Sequence, residues 1–153
     1  MTNIAFYHLE ISSLEQALLK LLEKTLDAGK RALVIAGSEE RVEALNTLLW
    51  TYDGGSWIPH GSSMDGTPEE QPVWLSIEEA NLNNAHFLFL TDGIESATVS
   101  NFERCFDLFD GNDPIMLQAA RERWRISSDA GHQLTYWKQG IMGDWEKRAE
   151  VHN

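Results

Sequence analysis

Residues 31–50 read RALVIAGSEERVEALNTLLW, an apolar run followed by residues with helical spacing. The run at 31–36 has the length and composition of a β-strand that is covered on both faces. Ser38 then predicts the cap of a helix that extends to about Trp50. The apolar residues on the inner side of this helix are Val42, Leu45, Leu48 and Leu49. Such a strand–helix unit is the building block of an α/β fold.

The segment before this unit has the same organisation. Residues 4–9 (IAFYHL) predict a first strand, and Ser12 and Glu15 have the spacing of a capping box. The following helix has apolar residues at helical spacing and is expected to end at Gly29. Two such units in succession favour a mainly parallel, twisted sheet flanked by helices.

The second half of the chain continues this pattern. Further short strands are predicted at residues 73–76, 87–90 and 133–138, and a polar loop at residues 61–71. Residues 102–109 fit either a helix or a strand, but their length and the turn that follows them favour a strand. Asp113 followed by Pro114 predicts the start of a last helix, which should end at Gly131.

The composition is that of an ordinary globular chain. Of the 153 residues, 42% are hydrophobic and 24% are charged. There is no internal repeat, so we expect one α/β domain over residues 1–139. Residues 140–153 contain few apolar side chains and are expected to form a flexible tail.

The charge balance limits the possible partners. With 12 basic and 24 acidic side chains the net charge is -12, which repels nucleic-acid phosphates and anionic lipids. We therefore expect no direct binding of nucleic acid or membrane. The single cysteine, Cys105, fits a reducing compartment, and neither a signal peptide nor a membrane span is predicted, so a cytoplasmic location is expected.

The sequence lacks the usual signals of a cofactor site. The turn after the first strand (EISSLE) has no glycine, and no phosphate-binding GxxxxGK motif is present. The histidines do not have metal-ligand spacing, and nothing supplies a base beside Cys105. We expect no cofactor, metal or catalytic residue. The alternative is an enzyme that binds a small molecule or nucleotide at the carboxyl edge of the sheet near Asp92, where a simple turn is the plainer interpretation.

The last predicted helix contains a basic and aromatic face. Arg121, Trp124 and Arg125 follow one another at i, i+3 and i+4, and Leu117 lies one turn earlier. Arg123 points elsewhere and could pair with an acidic residue in the fold. Guanidinium groups beside an apolar ring suit a carboxylate attached to a hydrophobic group, such as a peptide C-terminus. The alternatives are a core tryptophan with ordinary surface ion pairs, or stacking of single-stranded DNA on the same residues.

A second aromatic group surrounds a predicted Gly-Gly turn. Trp50 and Trp57 flank this turn, and Pro59 and His60 follow it. These tryptophans could cover the core, or they could be exposed anchors of a protein interface.

The ordered motifs of the chain resemble one protein family. They are FYHL, GKRALVI, LLW, WIPHG, PVWLS, HFLFLTDG, FERCFDLFDG and ARERWR…GHQLTYWKQ, and they span about residues 4 to 139. This set resembles the chi subunit of bacterial DNA polymerase III holoenzyme. The resemblance implies a non-enzymatic accessory protein with a nucleotide-binding-like α/β fold that lacks a phosphate loop. It also implies a link between the clamp-loader complex and single-stranded DNA-binding protein, whose acidic C-terminal tail ends in Pro-Phe.

The same resemblance implies two binding sites. The tail would bind at Leu117, Arg121, Trp124 and Arg125. A psi subunit, or an alternative helicase partner, would bind at Trp50, Trp57, Pro59 and His60. The family often has tyrosine at the position of Trp124 and a lysine near that of Leu117, so a lower affinity for the tail is expected here.

Overall fold

The computed structural model describes residues 2–51, 59–62 and 67–151. The strands are β1 Asn3–Leu9, β2 Ala32–Ile35, β3 Gly61–Ser62, β4 Val73–Ser76, β5 Phe87–Leu90, β6 Arg104–Asp110, β7 Gln133–Gln139 and β8 Trp145–Val151. The α-helices are α1 Leu14–Asp27, α2 Glu39–Thr51 and α3 Pro114–Asp129. Single turns of 3-10 helix lie at Pro68–Glu70 and Val99–Asn101.

These strands form one sheet in the order β3-β4-β2-β5-β6-β1-β7-β8. Every neighbouring pair is parallel except β7 and β8, which are antiparallel. The predicted α/β fold with a mainly parallel sheet is confirmed, and the strand Arg104–Asp110 includes most of the ambiguous segment. The predicted loop at 61–71 contains the short strand β3 and a 3-10 turn, because Gly61 and Ser62 pair with β4. The predicted Gly-Gly turn lies outside the described residues.

The helices cover the two faces of the sheet unequally. Apolar side chains of α1 and α2, such as Leu22 and Leu45, belong to a core cluster on one face. The other face carries a second cluster that includes Phe6 of β1 and Ala120 of α3. Within the described residues α3 is the only α-helix on that face, so a groove remains between α3 and the strands at the β7–β8 edge.

The helix termini follow the sequence closely, with one correction. The cap of α1 is Ser13, whose hydroxyl accepts a hydrogen bond from the backbone N–H of Gln16. The predicted Ser12–Glu15 capping box is therefore wrong by one residue. The reason is that the Ser12 hydroxyl accepts instead from the Gln139 amide, 2.9 Å away. Asp113 caps α3 as predicted, by accepting from the backbone of the first turn.

The C-terminal segment differs from the expected flexible tail. Residues 145–151 form β8, which pairs with β7 over the register Gln139↔Trp145 to Leu134↔Val151. Most of these side chains are exposed, so the apolar pattern gives little sign of the strand. The edge of β7 supplies the backbone partners, and Trp145 adds an edge-on ring contact with Tyr7 at 5.0 Å. The interstrand hydrogen bonds, which no hydropathy pattern records, define this element.

Candidate functional site

An open groove of about 440 Å³ lies between α3 and the β7–β8 hairpin. Its lining consists of His8, Arg121, Trp124, Tyr136, Lys138, Arg148 and Ala149. Three of these side chains are basic and none is acidic, although the whole chain has a net charge of -12. The groove is therefore locally suited to an anion on an otherwise acidic protein.

Trp124 forms the aromatic floor of the groove. Its half-buried ring packs edge-on against Phe6 at 5.4 Å and against Tyr136 at 5.8 Å, measured between ring centroids. One side of the ring packs against the core cluster and the other side lines the groove. A rigid, partly exposed ring is a good surface for an apolar ligand group.

Arg121 lies one helical turn before Trp124 and reaches the groove from α3. Its side chain is exposed, and it forms no ion pair or hydrogen bond with any other residue in the described part of the chain. The guanidinium group retains all of its donors for a ligand, and a carboxylate can accept two of them in parallel.

Arg125 and Leu117 lie beside the groove rather than in it. Arg125 is exposed and pairs along the helix surface with Glu122 and with Asp129, the latter at 3.1 Å. Leu117 is partly buried and packs against the core cluster that also contacts Trp124. The structure thus brings Arg121 and Trp124 into one site, with Arg125 at its margin and Leu117 beneath the helix.

Arg123 anchors α3 to the sheet. It is buried and forms a bidentate ion pair with Asp107 of β6, with N···O distances of 2.7 and 2.9 Å. Burial raises the pKa of Asp107, and the Arg123 guanidinium opposes that rise. The prediction that Arg123 points away from its neighbours and pairs with an acidic residue is confirmed.

Five lining residues, including Ala149, were missed by sequence reasoning. His8 is buried beside Tyr136, with its Nδ1 2.7 Å from the phenol oxygen, and its Nε2 lies 3.0 Å from Glu10. Burial lowers the pKa of His8, as do the nearby charges of Lys138 and Arg121, and together they outweigh the opposing Glu10 carboxylate. Lys138 lies next to His8 because β1 and β7 are paired. Tyr136 and Lys138 are two residues apart on a strand, so alternation could have placed them on one face. Arg148 gave no such signal.

The second predicted surface is only partly within the described residues. Trp50 at the end of α2 is 58% exposed, and its ring meets the buried His60 ring edge-on at 4.9 Å. Pro59 is half-buried next to His60. Trp57 lies outside the described residues. An exposed tryptophan supported by a second ring has the character of an interface anchor.

The structure also contains a polar crevice of about 450 Å³ at the carboxyl edge near Asp92. Its acidic lining residues are Glu10, Glu15, Asp92 and Asp110. Arg41 is the basic residue among them, and its side chain is already bound to Glu15 at 2.6 Å and to Asp92 at 3.3 Å. A phosphate entering this crevice would meet mainly carboxylates.

The backbone amides beside the crevice are also occupied. The Gln139 side-chain oxygen accepts hydrogen bonds from the N–H groups of Glu10, Ile11 and Ser12, at 3.1, 2.9 and 3.0 Å. In nucleotide-binding folds the amides after the first strand bind phosphate. Here the chain uses them for its own glutamine.

Among residues 2–51, 59–62 and 67–151, no cluster of three or more His, Cys, Asp or Glu side chains could hold a metal ion. No helix in the described part of the chain has both the length and the apolar character needed to span a membrane.

The family described as DNA polymerase III chi subunit, HolC, has a model that matches residues 1–135. The chain belongs to this chi subunit family. The match covers β1 through α3 and the start of β7, and it confirms the resemblance seen in the sequence motifs. Membership in the chi family places the chain among the accessory subunits of a replicative DNA polymerase.

Curated chi proteins are similar along most of their length. The probable DNA polymerase III subunit chi of Rickettsia prowazekii is 29% identical over 154 residues, covering 97% of this chain and 93% of its own. The chi subunit of Pseudomonas aeruginosa is 28% identical over 137 residues, covering 88% and 94%. That of Escherichia coli is 26% identical over 150 residues, covering 90% and 100%.

The residues matched by the chi family model include only part of the groove lining. Arg121 and Trp124 lie within the matched residues, whereas Tyr136, Lys138 and Arg148 lie beyond residue 135. The groove wall formed by β7 and β8 is therefore mostly outside the matched region.

Proposed function

We propose that this chi-family protein is a non-catalytic accessory subunit that links the clamp loader to single-stranded DNA-binding protein. It does so by binding the acidic C-terminal tail of that protein in the groove between α3 and β7–β8. The observation that supports this most strongly is the exposed Arg121, without a carboxylate partner among the described residues, beside the half-buried ring of Trp124. An unpaired cation next to an apolar floor fits a terminal carboxylate carried by an aromatic residue.

In this proposal the terminal Phe of the tail packs against Trp124 and its α-carboxylate pairs with Arg121. Burying one Phe side chain contributes about 1.5–3 kcal/mol, and a charge-assisted hydrogen bond adds about 1.5–3 kcal/mol. Ordering the peptide offsets part of the total gain, so a micromolar dissociation constant, or about -8 kcal/mol, is expected. Several tails presented together would increase the effective affinity.

The other two residues of the proposed site act less directly. Leu117 lies on the inner side of α3 and packs against the core cluster, which helps hold this helix and its Trp124 in place. Arg125 is already paired with Glu122 and Asp129, but both pairs are exposed to solvent. Exposed pairs exchange partners at little cost, so Arg125 can turn toward acidic residues of the tail.

The Trp50 surface is proposed as a separate docking site for a psi subunit or a helicase partner. Trp50 is exposed and rests on His60, with Pro59 alongside, and Trp57 is assigned to the same surface by the family resemblance. A Trp50→Ala variant should retain tail binding and lose co-purification with this second partner. Retained co-purification would remove Trp50 from the surface.

Calorimetry with a synthetic acidic peptide ending in Pro-Phe tests the tail site. Arg121→Ala and Trp124→Ala should each weaken binding by about tenfold or more, because each removes one of the two main contacts. Ile115→Ala is the matched control, since Ile115 is exposed and lies on the side of the same helix opposite Trp124. Unchanged affinity in both groove variants would reject the site.

A further inference from the structure

The pairing of β7 with β8 is irregular at one position. Tyr136 pairs with Ala149 and Trp137 pairs with Lys147, which leaves Arg148 as an extra residue between the two pairs. Such a bulge redirects a side chain relative to regular alternation. In this case Arg148 and its neighbour Ala149 both line the groove beside Trp124.

The bulge adds a basic side chain to the wall opposite α3. Lys138 of β7 lies on the same wall, so Arg121 faces two further basic residues across the groove. Lys138 pairs with Glu10 at 3.4 Å and Arg148 pairs with Glu146 at 2.7 Å. All four of these side chains are partly or largely exposed, so both pairs can exchange for carboxylates of a ligand.

For a peptide bound in the groove, these local charges are more important than the net charge of the chain. Charges separated by more than about 10 Å are largely screened at 0.1 M salt, so a bound peptide senses mainly the residues that line the groove. One cation is enough for a single terminal carboxylate. Three cations in a groove without a lining carboxylate fit a ligand that carries additional negative charges.

We propose that the β7–β8 hairpin is the second wall of the groove, where Lys138 and Arg148 bind the acidic side chains that precede the peptide's terminal carboxylate. This inference rests on the proposed function of the groove and assigns the ligand's upstream acidic residues to a segment outside the chi family match. In this arrangement the hairpin binds the acidic side chains of the tail, and α3 binds its terminal Phe and carboxylate.

The test compares two peptides of equal length that both end in Pro-Phe with a free carboxylate. One has upstream Asp residues, and the other has Asn in their place. The Lys138→Gln/Arg148→Gln double variant should weaken binding of the acidic peptide about three- to tenfold and leave the Asn peptide nearly unchanged. Lys147→Gln is the matched control. It removes a charge from the same strand, but its ammonium lies over the Trp137 ring, which belongs to the opposite face.

Several outcomes would overturn the hairpin's role. These are an equal effect of the double variant on both peptides, an equal effect of Lys147→Gln, or a wild-type protein that binds both peptides equally well. The last comparison needs no variant and so does not depend on folding of the substituted chain. If Arg121→Ala weakens binding and the double variant does not, only the hairpin's role is wrong. If Arg121→Ala has no effect, the proposed function itself fails.

Discussion

The groove and the carboxyl-edge crevice have similar volumes, about 440 and 450 Å³, but opposite chemistry. The groove lining contains three basic residues and no acidic one, and Arg121 has no partner among the described residues. The crevice lining contains four acidic residues, and its Arg41 is already paired with two of them. In parallel α/β folds ligands usually bind at the carboxyl edge. In this chain the more basic of the two surfaces lies instead between a helix and an edge hairpin.

The largest loss of stability is expected from a change at Arg123, which anchors α3 to the sheet. Arg123→Ala would leave Asp107 as a buried carboxylate without its partner, and should lower the free energy of unfolding by about 3–5 kcal/mol. Urea denaturation followed by circular dichroism measures this loss. Arg125→Ala is the control two residues along, where the ion pairs are exposed and little change is expected. Equal stability of the two variants would show that α3 does not depend on the buried pair.

A smaller loss of stability is expected from a change at Gln139, beside the crevice. Gln139→Leu would remove the acceptor shared by three backbone N–H groups, and should lower the free energy of unfolding by about 1–3 kcal/mol. Gln118→Leu, an exposed position on α3, should change it little. The same denaturation experiment compares them. If the two glutamine variants are equally stable, Gln139 does not hold the turn after β1.

These two residues show what the sequence can and cannot predict. The helical phase of α3 separates Arg123 from Arg121 and Trp124, so the different directions of these side chains follow from spacing alone. The Gln139 contacts join residues 127 to 129 positions apart, and no local pattern carries that information.

The groove was likewise predictable on one side only. The basic and aromatic face of α3 is visible in the sequence, whereas β8 has a mostly exposed pattern and depends on the free edge of β7. The orientation of Arg148 depends in turn on a bulge in that pairing. Segments defined by backbone pairing rather than by apolar periodicity therefore escaped prediction.

The last prediction is that one ligand, ATP, has no effect on stability. ATP should not raise the melting temperature of the protein in a concentration-dependent way, because a ligand stabilises a fold only when it binds the folded state. The crevice offers a phosphate occupied amides and an acidic lining. The acidic Pro-Phe peptide, measured in parallel, should raise it. A dose-dependent shift with ATP would reopen the possibility of a nucleotide-binding enzyme.

The most direct test of the central claim combines a change in the peptide with a change in the groove. Amidating the C-terminus of the acidic peptide should weaken binding to the wild-type protein about tenfold or more, because the partner of Arg121 is lost. In the Arg121→Ala protein the same amidation should have almost no further effect, since the two changes remove one contact. Equal binding of the free and amidated peptides to the wild type, or fully additive effects of the two changes, would contradict carboxylate binding by Arg121.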